Sequence, residues 1–519
     1  MSGLRVALVV GTAGPRAWHE QVVTILAEHE AVELVGIYRT SDTAPSSGAA
    51  WHVLDRLETA FAHRLFRTKR ADLPLSPEVS DSVVTIGTSE ADVDLVIDLD
   101  RGASARDVPF AAKHGVWHLT YDGIDGPADR IGLSGWYDGR HVIEATLWRR
   151  DTPGDEAIPI EQAHLGTFKN SWSVNRSRHL WRAALLIADN VVRLAVSGSA
   201  SADRAAAEPM AEMEETPPHP ALLGLRAVGR VTRHAWRKFA YVEQWQVLAK
   251  GSADDMLAPQ TYARLEPPRD RFWADPFAVR RADRDYIFVE ELRYETDRGE
   301  IAVLEQRDGK LLSAKTIIAE PYHMSYPCLV EYGNDLYMVP ETRQKGSIDI
   351  WKNTSFPDRW TRAGALMENV SAVDTTLFRH DGRWWMFTNL SRTRHLRSAD
   401  ELHAFYTDEA SPVTQAWTPH PMNPLVRDTR FARQGGRVFA DDRGRLIRSA
   451  QDTAVRYGYA VLLFHVETLT PTDFAETLLH KVEPDWHRNV VGMHTFERSG
   501  ELCVFDACFL EPRLRLPLS

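Results

Sequence analysis

Along the first 200 residues, short apolar runs alternate with stretches of helical spacing. LRVALVV (4–10), VELVGIYR (32–39), VDLVIDLD (93–100) and GVWHLTY (115–121) are β-branched runs of strand length. HVIEATLWRR (141–150) alternates like a half-buried antiparallel strand. Trp18 to His29 places Val22, Ile25 and Leu26 on one helical face, and HLWRAALLIADNVVRLAV (179–196) is a long amphipathic helix. Strand and helix in this alternation predict an α/β domain with a mostly parallel sheet over residues 1–196. The pattern breaks at SGSASADRAAAEPMAEMEETPPH (197–219), which is small, acidic and Pro-containing, as a flexible linker is. A short basic helix near 226–240 completes a connecting segment, 197–240.

From residue 241 onward the period changes to that of paired strands. Five segments align: ADPFAVRRADRDYIFVEE (274–291), SYPCLVEYGNDLYMVPE (325–341), VDTTLFRHDGRWWMFTN (373–389), RQGGRVFADDRGRLIRSAQ (433–451) and GMHTFERSGELCVFDA (492–507). Each has a small or polar opening, an apolar strand, a turn rich in Asp, Gly or Asn, and a second strand of aromatic and β-branched residues. That is one hairpin repeated five times. The openings at Asp275, Tyr326, Asp374, Gly435 and His494 are 51, 48, 61 and 59 residues apart. A period near 50 residues with several strands per unit predicts propeller blades, so 241–519 is expected to form a five-bladed β-propeller.

In a propeller, equivalent positions of the inner strands converge on the axis. At the strand openings stand Asp275, Tyr326, Asp374, Arg433 with Gly435, and His494; at the ends of the second strands stand Glu290 and Glu291, Glu341, Asn389, Gln451 with Asp452, and Asp506. Polar groups recurring at two fixed positions point to a shared pocket. Carboxylates gathered there can divide labour, one ionised and its neighbour kept protonated, which is what breaking or transferring a glycosidic bond requires. Phe272, Trp273, Tyr322 and Tyr326 lie near the same openings, placed either to stack on sugar rings or to pack between blades.

Charge and composition narrow the function classes. The formal charge of −11 and isoelectric point near 6.0 argue against a general nucleic-acid binder, although Arg226, Arg230, Arg233, Arg237 and Lys238 make a local basic cluster, read as a solvated helix face. Cys328, Cys503 and Cys508 have no metal-ligand spacing and sit in apolar runs, as expected of buried thiols in a reducing compartment. No segment has 18 uninterrupted apolar residues, and the Val6–Val10 run is too short for a signal peptide. A cytoplasmic protein without a transmembrane segment is expected.

Three resemblances add to this reading. RFWADPF (271–277) with FVEEL (288–292) resembles the first blade of family 43 glycoside hydrolases and related furanosidase propellers. The resemblance implies that Asp275 is the catalytic base and that Asp374, in VDTTLF, is an orienting carboxylate. NPLVRDTRFARQGGRVF (423–439), RLIRSAQD (445–452), YGYAVLL (457–463) and MHTFE (493–497) resemble the N-terminal propeller domain of plant glucosamine inositolphosphorylceramide transferases and bacterial relatives. Blade four departs from the hydrolases: it opens on Arg433, Gln434, Gly435 and Gly436 and offers no Glu, so Glu291 or Glu341 would have to serve as acid, while Arg433 suits an anionic group. The front domain, in LVIDLDRGASARDVPFAAKHGVWHLTYDG (95–123), resembles the Rossmann-like formyltransferase domain that uses 10-formyltetrahydrofolate. That family's Asn-x-His reads His118-Leu119-Thr120 here, and its later Asp falls on Asp151. Thr cannot replace imidazole in proton transfer, which implies a degenerate site.

The expectation is therefore a carbohydrate-active protein, performing glycosyl transfer or cleavage or binding a glycan. Its catalytic candidates are Asp275, Glu291, Glu341 and Asp374, with Asp275 first choice as base or nucleophile. Trp273, Tyr326, Arg433, Gln451, Asp452 and His494 are the substrate-binding candidates. The partner expected is a sugar, sugar phosphate or glycan; the sequence leaves both the cofactor and the metal content open. The rival readings are an amino-sugar N-formyltransferase and a non-catalytic component of polysaccharide assembly.

Overall fold

The computed structural model describes residues 3–11, 14–39, 49–73, 92–99, 112–122, 130–152, 155–200, 219–393, 395 and 401–513. The chain divides into two units, Met1–His234 and Ala235–Ser519.

In the first unit one six-stranded sheet runs in the spatial order Val32–Arg39, Leu4–Val10, Leu95–Asp98, Val116–Tyr121, Val142–Arg150, Ile158–Gly166. The first four strands pair in parallel and the last two are antiparallel. The inner parallel strands carry buried runs such as Val6 to Val10, as strands covered on both faces do, while the edge strand Val32–Arg39 is only partly buried. Ile158–Gly166 and the helix Ala49–Leu65 were not anticipated from the sequence. The long helix spans Trp172–Ser197 and starts where the Ser171 hydroxyl accepts the Val174 amide at 3.1 Å; Gly198, at φ 75°, ends it. Most of the expected linker, 201–218, lies outside the described residues. The basic helix is longer than anticipated, Pro220–Ala240.

The second unit is a five-bladed β-propeller of antiparallel sheets. Blade one is Arg271–Arg281, Arg284–Arg293, Arg298–Arg307 and Lys310–Ile318; blade two is Ser325–Tyr332, Asp335–Glu341, Ser347–Ser355 and Arg359–Glu368; blade three begins with Ala372–His380 and Arg383–Leu390. Each expected hairpin supplies the two innermost strands of one blade. Blade five is completed from the other end of the domain: Leu502–Pro512 pairs along its length with Tyr241–Lys250, which in turn pairs with Ala263–Leu265. The ring is thus closed by hydrogen bonds between its first and last strands.

Successive blades pack face to face through apolar cores. Val247 and Val504 of blade five meet Ala278, Ile287 and Val289 of blade one, whose opposite face sends Phe277 and Phe288 against Met338 and Tyr326 of blade two. Alternation along each strand serves both interfaces. At the axial end the alternation is interrupted. Asp275, Tyr326 and Asp374 have φ of 51°, 47° and 51°, and the pairing register slips beside each. These are bulges built on left-handed non-glycine residues, each costing about 1–2 kcal/mol of backbone strain. In blade four glycine is required instead: Gly436 has φ 135°, and a Cβ there would lie 2.0 Å from the Phe496 carbonyl oxygen. The Gly-Gly pair lets the blade-four strand approach blade five closely.

Candidate functional site at the propeller axis

The bulges turn backbone amides toward the axis, and buried carboxylates of neighbouring blades receive them. Asp506 Oδ2 of blade five accepts the Asp275 amide at 2.9 Å, and Asp275 Oδ2 of blade one accepts the Tyr326 amide at 3.2 Å. Asp506 Oδ1 also accepts the His494 and Thr495 amides, both at 2.9 Å, and Asp275 Oδ1 accepts the Thr495 hydroxyl at 3.1 Å. His494 Nδ1 lies 2.6 Å from Asp506 and 3.5 Å from Asp275, and its ring stacks on Trp245 with centroids 4.0 Å apart. Burial alone would lower the His494 pKa, but Asp506 and Asp275 outweigh it and raise it to about 9. Asp506 is correspondingly depressed: the imidazolium and the amide donors outweigh its burial. Burial pushes Asp275 up to about 8 against the pull of His494. Asp275 thus joins blades one, two and five through its backbone amide and both carboxylate oxygens.

A second group is more open. Arg433 of blade four clamps Asp374 of blade three, Nε to Oδ2 at 2.5 Å and Nη2 to Oδ1 at 3.3 Å, and Gln451 donates to the same Asp374 oxygen at 3.1 Å. The guanidinium sits 4.9 Å from the Tyr457 ring centroid, and that ring meets His494 edge-on at 5.6 Å. Tyr457 is 45% exposed, so an aromatic face borders the cluster on the solvent side. Glu290 approaches His323 at 3.2 Å, and that bond raises the histidine's pKa despite its burial. Glu341 is half-buried within electrostatic range of Asp374, Arg433, His323 and Glu290. Its carboxyl group makes no hydrogen bond among the described residues. Burial, reinforced by Asp374 and opposed by Arg433, pushes it up to about 7.

Of the residues expected from the sequence, Asp275, Glu341, Asp374, Arg433, Gln451 and His494 are brought together at the axis. Glu291 is not. It lies on the strand face of Ile287 and Val289, where it accepts from Trp273 Nε1 (3.0 Å), Thr316 (3.0 Å) and Arg271 (3.2 Å); strand alternation puts Glu290 at the axis instead. Trp273 is consequently an interblade core residue, not a sugar platform. Asp452 alternates away from Gln451 and pairs with Lys481 at 3.1 Å. Tyr326 is fully buried and reaches blades three and four, its hydroxyl 2.8 Å from Thr376 Oγ1 and accepting the Gly436 amide at 2.8 Å. It braces the interior and presents no ring to a ligand. Trp245, His323 and Tyr457 were missed; each lies outside the repeated hairpins on which the sequence argument rested.

Asp275, His494 and Asp506 offer ligand atoms within 4.8 Å of one another, a spacing a metal ion can use. Here, however, His494 Nδ1 is engaged by Asp506, and Asp506 is further engaged by three amides. The arrangement satisfies itself as an ion pair.

In the first unit Thr120 is buried and its hydroxyl accepts the Trp148 indole N–H at 2.8 Å. His118 is buried on the same strand. Asp151 does not join them. It is exposed, bonds Arg149 at 2.6 Å and lies beside Gly115, at the end of the sheet opposite the carboxyl end of Val116–Tyr121, where parallel sheets place their ligands.

Residues 249–493 match the family model described as glucosamine inositolphosphorylceramide transferase 1, N-terminal. The matched stretch lies within the propeller. The glucosamine inositolphosphorylceramide transferase 1 of Oryza sativa subsp. japonica is 34% identical over 210 residues, 40% of this chain and 27% of that protein; the Arabidopsis thaliana protein is 29% identical over 209 residues with the same shares. The chain thus spans about a quarter of the length of these relatives. Among solved structures, the catalytic domain of a Coprinopsis cinerea GH62 α-L-arabinofuranosidase has a TM-score of 0.36 at 11% identity, covering 52% of this chain and 97% of that one. A Cellvibrio cellulosa α-L-arabinanase complexed with arabinohexaose has 0.33 at 16%, covering 46% and 90%.

Proposed function

We infer that the axial site of the propeller binds a sugar or sugar phosphate and acts in glycosyl transfer or cleavage, with Glu341 as the proton-transferring group. The observation that carries this reading is the state of Glu341. Among the axial carboxylates with shifted pKa values it alone makes no hydrogen bond among the described residues, and its value near 7 is that of an effective acid or base at neutral pH. Arg433, fixed by Asp374, supplies the positive charge for a phosphate or carboxylate, and the exposed Tyr457 ring supplies a face for a sugar. The relatives' description as transferases acting on an inositolphosphorylceramide supports a phosphate-bearing acceptor.

The front unit fits a formyltransferase-shaped domain without that family's proton-transfer pair. Its parallel sheet supports the first part, and the Thr120 hydroxyl, occupied by Trp148, supports the second. Three buried free thiols suit a cytoplasmic setting.

The second reading, binding without catalysis, is favoured by the engagement of Asp275 and Asp374 in protein contacts. One variant separates the two. E341Q keeps the shape and removes the proton. Against a panel of nucleotide sugars and phosphoinositol-bearing acceptors, the catalytic reading expects turnover to fall at least about 100-fold with little change in ligand affinity, and the pH-rate limb near 7 to vanish. Unchanged turnover in E341Q would remove Glu341 from the chemistry, and ligand binding by a wild type that never turns over would leave only the binding reading.

A further inference from the structure

Two carboxylates at the propeller axis keep an uncommitted oxygen. Asp275 has both oxygens engaged, by the Tyr326 amide and the Thr495 hydroxyl, and Asp374 has both engaged by Arg433. Asp506 accepts three amides and lies against His494. Glu341 makes no hydrogen bond among the described residues, and Glu290 has a single partner among them, His323, at one oxygen. The two glutamates hold equivalent places in neighbouring blades. Glu290 pairs with Ala274 and Glu341 with Ser325, each one residue before the left-handed residue of its blade. They lie within electrostatic range of one another and of His323, and Glu290 is also within range of Tyr457.

His323 is built to hold Glu290. Its Nδ1 accepts the Gly299 amide at 3.0 Å, which leaves the proton of the neutral ring on Nε2, 3.2 Å from Glu290 Oε1. The His323 amide donates to Gln344 at 3.0 Å and the Met324 amide to the Gly299 carbonyl at 2.9 Å, so the chain is fixed on both sides of the ring. Gly299 permits the approach: a Cβ there would lie 2.8 Å from Glu290 Oε1, 2.8 Å from His323 Cε1 and 2.5 Å from the Met324 carbonyl oxygen.

We propose that Glu290 is the second working carboxylate of the axial site, the base that takes the proton of the acceptor hydroxyl, and that His323 is its positioning residue. This rests on the reading of Glu341 as the proton-transferring group and supplies its counterpart. The acceptor oxygen bonds to the anomeric carbon as its proton passes to the free Glu290 oxygen. The bond from that carbon to the leaving oxygen breaks, its electron pair stays on the leaving oxygen, and that oxygen takes the Glu341 proton. The two carboxyl groups thereby exchange protonation states, which solvent restores; water in place of the acceptor gives cleavage. The Glu290 charge also helps to keep the proton on Glu341, after the larger effects of burial and Asp374.

The test uses the full chain and the same panel of nucleotide sugars and phosphoinositol-bearing acceptors. E290Q and E290A are expected to lower turnover at least about 100-fold, and added formate, a carboxylate small enough for the space left in E290A, restores part of it in proportion to its concentration. H323L lowers kcat roughly 10- to 100-fold, the loss of one hydrogen bond to a charged acceptor, with KM nearly unchanged. H323Q, whose side-chain NH2 can reach Glu290, keeps most of the activity. Thermal transitions identify any variant that fails to fold, and E290Q, nearly isosteric, stands in for E290A if that one does. Wild-type turnover in E290Q beside an inactive E341Q overturns this proposal alone, as does a folded E290A that formate does not rescue. H323L and H323Q impaired alike, or changed only in KM, removes His323 as the positioning residue. Loss of turnover in E290Q with none in E341Q supports Glu290 and refutes the reading of Glu341. A wild type that turns over nothing in the panel overturns both.

Discussion

The Asp506–His494 pair is the most consequential charge contact at the axis, and D506N tests it with almost no change of shape. The His494 pKa of about 9 in the folded protein stands about 2.5 units above that of a free histidine, worth about 3 kcal/mol. The sign follows from the raised value: the folded protein holds a proton that the unfolded chain releases. The stabilisation is therefore complete below about pH 6.5 and is lost as pH rises through about 9. Asp275, at about 8, and Glu341, at about 7, act in the same direction from about pH 4 upward. Asparagine cannot stabilise the imidazolium, and it turns an NH2 group toward donors that Asp506 now satisfies, a pH-independent cost of about 1–3 kcal/mol. Urea unfolding of wild type and D506N should differ by about 4–6 kcal/mol near pH 6, and by the pH-independent part alone near pH 10. A difference that is the same at both pH values would refute an ionised pair, and a difference below about 1 kcal/mol near pH 6 would show that Asp506 holds nothing in place.

Two further substitutions separate structural carboxylates from the open one. E291Q breaks a buried cluster with Arg271, Trp273 and Thr316; it should cost about 3–5 kcal/mol in denaturant unfolding, while the affinity for any axial ligand stays at the wild-type value. D275N keeps one acceptor but puts an N–H against either the Tyr326 amide or the Thr495 hydroxyl; the melting transition should fall by the equivalent of about 1–3 kcal/mol, with a smaller loss of turnover than in E341Q. A D275N protein of wild-type stability that loses all turnover would return Asp275 to the centre of the chemistry.

The blades were legible because their signal is local. Turns such as YGND and HDG, each between two apolar strands, mark a hairpin without reference to the rest of the chain, and five of them at even spacing leave few architectures. The closure of the ring was not legible. YVEQWQVLAK (241–250) has the pattern of any half-buried strand, and its partner, Leu502–Pro512, lies some 250 residues further on; nothing local in either segment names the other. The strand Ile158–Gly166 escaped for a different reason: its polar Glu161, Gln162 and His164 obscure the apolar alternation.

At the site, position along the strand was readable and facing was not. A period of two assigns a side chain to a face only while the register holds. In blade one the pairing slips between Phe288 and Glu290, opposite the bulge at Asp275, so the adjacent Glu290 and Glu291 cannot be sorted without knowing where the extra residue sits. The residue that makes the bulge left-handed is aspartate or tyrosine in blades one to three, and neither advertises a positive φ as glycine would. Only blade four shows its irregularity openly, and there Gly435 and Gly436 read as a missing acid. Their actual work is steric: the Gly436 amide bonds the Tyr326 hydroxyl, and Phe496 leaves no room for a Cβ. An acid on that strand would have to displace the contact that brings blades four and five together. The proton-transferring carboxyl we propose is therefore sought on blade two, where Glu341 pairs with Ser325 beside the Tyr326 bulge and its carboxyl group makes no hydrogen bond among the described residues.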